Sequence, residues 1–151
     1  MKSVAAIGIA AALLLAAPLG STALAQSAGG AIENGTVWRV SAVETKPGQF
    51  NAYMKYLAST WRAIQEAGIK RGDVVSYKVM VEDSPREHEA NIYLLVEYKN
   101  MAVFDRALKD LDEQNATAFG SVDKAQDAAA AREAMRTPKG TDLLREVKFT
   151  H

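Results

Sequence analysis

Residues 73–82 read DVVSYKVMVE and residues 90–98 read ANIYLLVEY, and these two stretches decide the fold. In both, apolar side chains recur at every second position, which is typical of a β-strand with one face in a core. The apolar faces are formed by Val75, Tyr77, Val79 and Val81, and by Ile92, Leu94, Val96 and Tyr98. The charged loop DSPREHE at 83–89 connects the two stretches, so we predict an antiparallel hairpin.

A third strand and an amphipathic helix are predicted before this hairpin. Residues 36–44, TVWRVSAVE, alternate like a strand. Pro47 then suits the first turn of a helix, where its missing N–H costs nothing. One apolar stripe follows at helical spacing, formed by Phe50, Tyr53, Met54, Leu57, Trp61 and Ile64. Gly68 is a natural stop for this helix.

Helical patterns and a last strand follow the hairpin. Asn100 is a good N-cap, and the second apolar stripe is formed by Met101, Phe104, Leu108 and Leu111. An alanine-rich segment at 121–136 has strong helix propensity, and Pro138 and Gly140 end it. Residues 141–150 alternate as a strand. We find no internal repeat and no second-domain boundary.

The element order β-α-β-β-α-(α)-β predicts a ferredoxin-like α+β fold. Its four-stranded antiparallel sheet has the strand order 4-1-3-2, with the helices on one face and the alanine-rich helical segment added before the last strand. We expect the helix-facing side to hold Trp38, Val40, Val79, Leu94, Val96 and Val147. The other side mixes apolar residues with charged and polar ones, including Arg39, Ser41, Lys78, Tyr93 and Glu97. Such a face is too apolar for a simple solvent surface, so we expect it to be covered.

The chain resembles the dimeric α+β-barrel superfamily over roughly residues 36–150. The likeness is carried by the first strand, by KPGQF at 46–50, by the hairpin and by YKNMAVF at 98–104. The resemblance implies a homodimer in which two sheets pack face to face, with ligands between helices and sheet. Members of that superfamily include small monooxygenases that act on quinones or haem, other lyases and isomerases, and many proteins of unknown role.

The first 25 residues have the pattern of a cleaved secretory signal peptide. Lys2 precedes an apolar run at 4–17, and the ALA motif at 23–25 offers a cleavage site before Gln26. The run is shorter than the ~20 residues that span a bilayer, so we expect no membrane association after cleavage. Residues 26–35 are predicted to be a flexible lead-in to a domain at 36–151. A periplasmic or secreted location follows.

Composition excludes several classes of function. Without cysteine there is no disulfide framework, thiolate nucleophile or lipid anchor. The 18 basic and 18 acidic residues balance, and loss of Lys2 leaves one excess acid, so nucleic-acid binding is not expected. His88 lies in the charged loop and His151 ends the chain, so neither suits a helix-borne haem ligand. Glu87, His88 and Glu89 are interpreted as a solvated turn; we predict neither a metal nor a cofactor.

Two groups of candidate site residues remain. Arg39, Lys78 and Glu97, with Tyr93 nearby, are expected to share the mixed sheet face. They would either form an ion-pair network that fixes the dimer or bind a small anionic or phenolic ligand through Arg39 and Lys78. The aromatic group would either pack the core or line a pocket between sheet and helices, and consists of Trp38, Tyr53, Trp61, Tyr77 and Phe104.

These patterns favour an exported, homodimeric protein that binds a small hydrophobic or aromatic molecule or is otherwise non-catalytic. The alternative is a cofactor-independent, monooxygenase-like enzyme acting on a quinol, phenol or similar aromatic substrate. A third class is a purely structural interaction protein, which would show no ligand binding. No cluster of residues in the sequence names a substrate.

Overall fold

The computed structural model describes residues 30–150. The predicted signal peptide, the first part of the lead-in and His151 lie outside the described residues. The strands are β1 (Ile32–Thr45), β2 (Val74–Val81), β3 (Ile92–Tyr98) and β4 (Arg136–Phe149). They form one sheet in the order β2-β3-β1-β4, with every neighbouring pair antiparallel. The predicted sheet and its strand order are confirmed.

Two strands are longer than the sequence pattern indicated. β1 begins at Ile32, inside the range predicted as a lead-in, because Ile32 pairs with Phe149 of β4. β4 begins at Arg136 and so contains Pro138, which was expected to lie before the strand. Proline is tolerated there because β4 is an edge strand, and a register shift between Ala42 and Val43 accommodates the chain.

The first helical stretch is continuous from residue 50 to 71 but changes its winding. It consists of α1 (Phe50–Tyr56), a π-helical segment (Leu57–Trp61) and α2 (Arg62–Arg71). The prediction that Gly68 ends it is wrong. Gly68 is buried inside α2, and Gly72, with a φ of 78°, makes the left-handed C-cap instead.

The second helical stretch is interrupted, so the prediction of one stripe from Met101 to Leu111 is wrong. Asn100 caps a short 3-10 helix (Met101–Phe104) as expected, since its side chain accepts from the Ala102 N–H at 3.1 Å. The chain then extends at Ala107 before α3 (Leu108–Phe119). The intervening Arg106 side chain forms an ion pair with Asp73, which draws this segment toward the start of β2.

The alanine-rich segment forms α4 (Val122–Met135), and Ser121 caps it by accepting from the Lys124 N–H at 3.1 Å. In the described part of the chain, no helix combines the length and the apolar character needed to cross a bilayer.

The core lies between the helices and one face of the sheet. Its buried residues are Val43, Tyr53, Leu57, Trp61, Val74, Ile92, Leu94 and Val96. Because directly paired residues of antiparallel strands point to the same side, the register assigns the faces of β1. Arg39 pairs with the core residue Val96, and Ser41 pairs with the core residue Leu94. Arg39 and Ser41 therefore face the helices.

The predicted facing of β1 is thus wrong. Trp38 pairs with Glu97, and Val40 pairs with Leu95, so both lie on the side of the sheet away from the helices. We call this side the open face. β1 carries apolar residues on both faces. Val37 and Val43, each 1% exposed, are buried on the helix-facing side, and they determine which face of β1 points into the core.

Asp73 ties three parts of the helix side together. Its carboxylate accepts from Arg71 Nε at 3.0 Å and pairs with Arg106, and its carbonyl accepts from the Lys99 N–H at 3.1 Å. Burial opposes ionisation, but the hydrogen bonds from Arg106 and Arg71 outweigh it and hold the pKa of Asp73 below its usual value. The turn between α2 and β2 is thereby anchored to the segment before α3.

Gly68 permits the close packing of α2 on β2. A Cβ at Gly68 would lie 2.6 Å from Val74 Cγ2. We expect Gly68→Ala to lower the free energy of unfolding by about 1–3 kcal/mol through overpacking, although alanine is the better helix former by about 1 kcal/mol. In a Val74→Ala background the same change should stabilise the protein. Urea unfolding of the four variants measures this coupling; equal effects in both backgrounds would contradict the packing argument.

Candidate functional site

A cavity of about 430 Å³ lies between the helix-facing side of the sheet and the helices. β1 and β3 supply its floor with Arg39, Ser41, Ala42, Val43, Leu94 and Val96. The first helical stretch supplies Tyr53, Tyr56, Trp61, Ile64 and Gln65. The remaining wall comes from α3, α4 and β4, with Asn115, Phe119, Arg132, Arg136, Pro138, Gly140 and Thr141. This volume lies within the range of small-molecule sites.

The π-helical segment keeps one face of the first helical stretch on the cavity. Tyr53, Leu57, Trp61 and Gln65 are all buried and lie four residues apart. In an α-helix of 3.6 residues per turn, such spacing drifts by about 40° at each step. The wider π turn reduces this drift. Ser59 supports the wider turn, because its hydroxyl donates to the Lys55 carbonyl at 2.8 Å.

Two arginines pack on two tyrosines across the cavity wall. Arg136 Nη1 donates to the Tyr53 hydroxyl at 3.1 Å, and Arg132 Nη1 donates to the Tyr56 hydroxyl at 2.9 Å. Each guanidinium also lies over its tyrosine ring, 5.8 Å and 5.6 Å from the respective centroids. The two rings stack at 5.9 Å with an interplanar angle of 15°. The four side chains contact one another in sequence and so link α1 to the end of α4.

The cavity is positively charged. Its lining includes Arg39, Arg132 and Arg136, and the lining residues that the structure describes include no carboxylate. Burial raises the pKa of the Tyr53 phenol, which the neighbouring Arg136 charge only partly offsets. Tyr53 is therefore neutral at physiological pH and does not cancel these charges.

Arg136 has a donor that is left over. Within residues 30–150, its Nε is buried and has no hydrogen-bond partner. Its Nη2 is 3.4 Å from the carboxylate of Glu133, whose side chain is 53% exposed. Buried polar groups are nearly always paired in native proteins, so this donor is an unusual feature of the wall.

The structure brings some of the predicted site residues together and separates others. Arg39, Tyr53 and Trp61 line the cavity. Tyr77 lies outside it, edge-on to Trp61 at 5.4 Å, and Phe104 packs on Tyr98 at 4.8 Å. The Tyr77 hydroxyl donates to Glu66 at 2.5 Å, and this hydrogen bond raises the pKa of Tyr77.

The predicted network of Arg39, Lys78 and Glu97 is wrong. Lys78 and Glu97 lie on the open face, whereas Arg39 faces the helices and lies 6.0 Å over the Tyr98 ring. Lys78 instead lies 5.7 Å over the ring of Trp38. The cause is the phase of β1, which moves Arg39 to one side of the sheet and Trp38 to the other.

Glu97 and Glu146 form an acidic cluster on the open face. Glu97 accepts from the hydroxyls of Ser76 at 2.6 Å and Thr36 at 2.8 Å. Glu146 accepts from the Thr36 N–H at 3.0 Å. Hydrogen bonds from Thr36 hold the pKa of Glu146 below its usual value. Tyr93 is also on this face, opposite Ala42 and Met80, while His88 in the β2–β3 loop is 80% exposed.

Sequence reasoning missed Tyr56, Gln65, Arg132 and Arg136. Arg132 and Arg136 are four residues apart at the end of the alanine-rich segment, a spacing that predicts one shared face if the helix continues to Arg136. That spacing was the signal in the sequence from which a pair of neighbouring arginines could have been predicted. Their tyrosine partners are 76 and 83 residues away along the chain, which the spacing does not reveal.

Comparison with known proteins identifies the fold. No protein-family model and no curated protein match the sequence. The structure is similar to that of HapK from Hahella chejuensis, with a TM-score of 0.52 and 11% identity over 73% of this chain and 91% of that chain. The fold is ferredoxin-like.

Two further solved structures resemble the ferredoxin-like chain more distantly. A protein from Shewanella oneidensis has a TM-score of 0.49 and 17% identity, covering 77% of this chain and 95% of its own. A dimeric ferredoxin-like protein from an uncultured marine organism has a TM-score of 0.47 and 10% identity, covering 79% and 91%. At such identities the likeness concerns the fold and not the activity.

The Tyr53 hydroxyl is expected to matter more for stability than that of Tyr56. Tyr53→Phe removes a buried acceptor for a charged donor, which costs about 1.5–3 kcal/mol of unfolding free energy. Tyr56→Phe is the matched control, because Tyr56 accepts from Arg132 in the same way but is only partly buried. Urea unfolding compares the two variants. An equal loss in both would contradict a special role for the Arg136–Tyr53 bond.

Proposed function

We propose that this protein is an exported homodimer that binds a small aromatic molecule in the cavity between its sheet and helices. The observation that carries the proposal is the lining itself. Tyr53, Tyr56, Trp61 and Phe119 line a space of about 430 Å³ together with seven polar or charged side chains, which are Arg39, Ser41, Gln65, Asn115, Arg132, Arg136 and Thr141. A concave space of this volume, with aromatic side chains beside convergent polar groups, is typical of small-molecule sites.

The chemistry of the lining supports binding rather than catalysis. Its polar side chains in residues 30–150 are arginine, tyrosine, amide and hydroxyl groups. General acid–base catalysis near neutral pH works best with groups whose pKa lies close to that pH, such as histidine or a buried carboxylic acid. Burial shifts the pKa of Tyr53 upward and thus further from neutral. A monooxygenase-like reaction is therefore the less favoured function.

Binding is tested with two-ring aromatic probes and a cavity-filling variant. We expect 2-naphthoate, 2-naphthol or 2-naphthamide to raise the melting temperature of the wild type, since a ligand at 100 times its Kd stabilises by about 2.7 kcal/mol. Ser41→Phe should abolish the shift, because Ser41 lies on the cavity floor. Ser84→Phe, on an exposed loop, is the matched control. If none of the probes shifts the wild type, or if both variants respond alike, the cavity is not the binding site.

The open face supports association with a second copy of the same chain. It carries apolar side chains, among them Met80 and Leu144, which are 48% and 54% exposed. It also carries Lys78 together with Glu97 and Glu146. In a twofold interface the same patch meets itself, so a patch with both signs of charge can be self-complementary where a patch of one sign would repel itself.

Export is supported by the sequence of the first 25 residues. The apolar run at 4–17 and the ALA motif at 23–25 match a cleaved signal. The proposed mature chain begins at Gln26. In this proposal the homodimer therefore forms outside the cytoplasm, where a cysteine-free chain is unaffected by oxidation to disulfides.

The homodimer is tested on protein recovered from a periplasmic extract, where mass spectrometry should find Gln26 at the N-terminus. Light scattering after size exclusion is expected to give twice the chain mass at micromolar concentration. Leu144→Glu should give a folded monomer, because it buries a charge in the proposed interface. Leu108→Glu is the control, since Leu108 on α3 is 79% exposed. A monomeric wild type, or a dimer that survives Leu144→Glu, would refute the open-face interface.

A further inference from the structure

We propose that the cavity ligand is an anion, and specifically an aromatic carboxylate whose acid group is bound by Arg136. This inference rests on the proposed function and adds the chemical class of the ligand. It starts from the charge of the lining, which includes three arginine residues and, among the described residues, no carboxylate. Like charges that face one small cavity repel each other, and a bound anion relieves that repulsion.

Most of this positive charge is not neutralised by the protein. The ion pairs found within residues 30–150 do not involve Arg39 or Arg132. Arg39 lies over Tyr98, and Arg132 contacts the ring and hydroxyl of Tyr56. These contacts are made with aromatic rings and a hydroxyl group. None of them is an ion pair, so they do not neutralise the positive charge of the two guanidiniums.

Arg136 offers the geometry that a carboxylate requires. Its Nη1 is used by Tyr53, whereas its Nε is buried without a partner in the described residues. Its Nη2 has only the 3.4 Å contact with Glu133, whose side chain is half exposed. Exposed ion pairs contribute little, so this contact is readily exchanged. Nε and Nη2 form one edge of the guanidinium, and this pair of donors matches the two oxygens of a carboxylate. Because Nε has almost no accessible surface in this structure, the carboxylate reaches it only when the side chains around it move.

The walls beside Arg136 specify the rest of the ligand. The stacked rings of Tyr53 and Tyr56 carry the two arginines, and Trp61 is on the same helical stretch. A flat aromatic body next to these rings buries apolar surface while its acid group reaches the guanidinium. The buried amide of Gln65, 6% exposed, also lies in the lining and can hydrogen-bond a second polar substituent.

The test compares 2-naphthoate with 2-naphthamide, which has nearly the same shape but no charge. Isothermal titration calorimetry at physiological ionic strength is expected to give at least about tenfold tighter binding of the carboxylate, equivalent to roughly 1.4 kcal/mol. Arg136→Gln should remove this preference and leave the affinity for the amide nearly unchanged. Arg136→Lys should restore only part of it, because lysine keeps the charge but lacks the two-donor edge.

Two further variants keep the result interpretable. Arg86→Gln is the charge-matched control, since the Arg86 side chain in the β2–β3 loop is 86% exposed. Arg39→Gln changes a floor residue that is exposed, and so tests the cavity charge if Arg136→Gln fails to fold. It is expected to weaken the carboxylate more than the amide.

The outcomes separate this inference from the proposed function. Equal affinity for the two probes in the wild type would overturn anion recognition and leave aromatic binding intact. Absence of binding by both would overturn the proposed function as well. An equal loss of carboxylate affinity in Arg86→Gln and Arg136→Gln would show that net charge alone attracts the anion, and would also overturn the assigned role of Arg136.

Discussion

The pairing register between β1 and β3 is the constraint on which the rest of the structure depends. Arg39 opposite Val96 and Val43 opposite Ile92 place one set of β1 side chains against the helices. A strand has a period of two, so a slip by one residue would exchange its two faces. The cavity would then receive Trp38 and Val40 in place of Arg39 and Ser41. The observed register leaves room above β1, and the space becomes a cavity instead of a filled core.

The cavity also depends on contacts between segments that are far apart in the chain. α1 is linked to the end of α4 by the paired arginines and tyrosines, whose members are 76 and 83 residues apart. Asp73, in turn, holds the turn between α2 and β2 to Arg106 and Lys99. Such non-local contacts close long loops, and the entropy cost of closing them is met by the rest of the packed domain. The site is therefore a product of the complete domain.

The order of elements, the hairpin, the strand order and the cap at Asn100 were predicted from the sequence and are confirmed. The cap at Ser121 follows from the same kind of local pattern but was not predicted. The phase of β1 does not follow, because both of its faces carry apolar residues and only the partner strand decides between them. At the break before α3, Arg106 pairs with the distant Asp73, and Gly68 lies inside α2 because the left-handed C-cap is made by Gly72. Arg39, Tyr53 and Trp61 were among the expected site residues. Arg132 and Arg136 were not, since their role comes from tertiary contacts.

The π-helical segment has a consequence for how this cavity can change during evolution. Its wider turn holds one more residue than an α-helix would over the same rise. Loss of a single codon between residues 57 and 61 would convert it to a regular helix without breaking the chain path. Because the wider turn had absorbed the extra residue, residues after the deletion would keep nearly the same direction around the axis, so Ile64 and Gln65 would still face the cavity and Tyr53 would stay in place. One deletion would thus remove a residue from the turn beside the cavity while the rest of the helical wall stays in place, so this wall can change by length as well as by substitution.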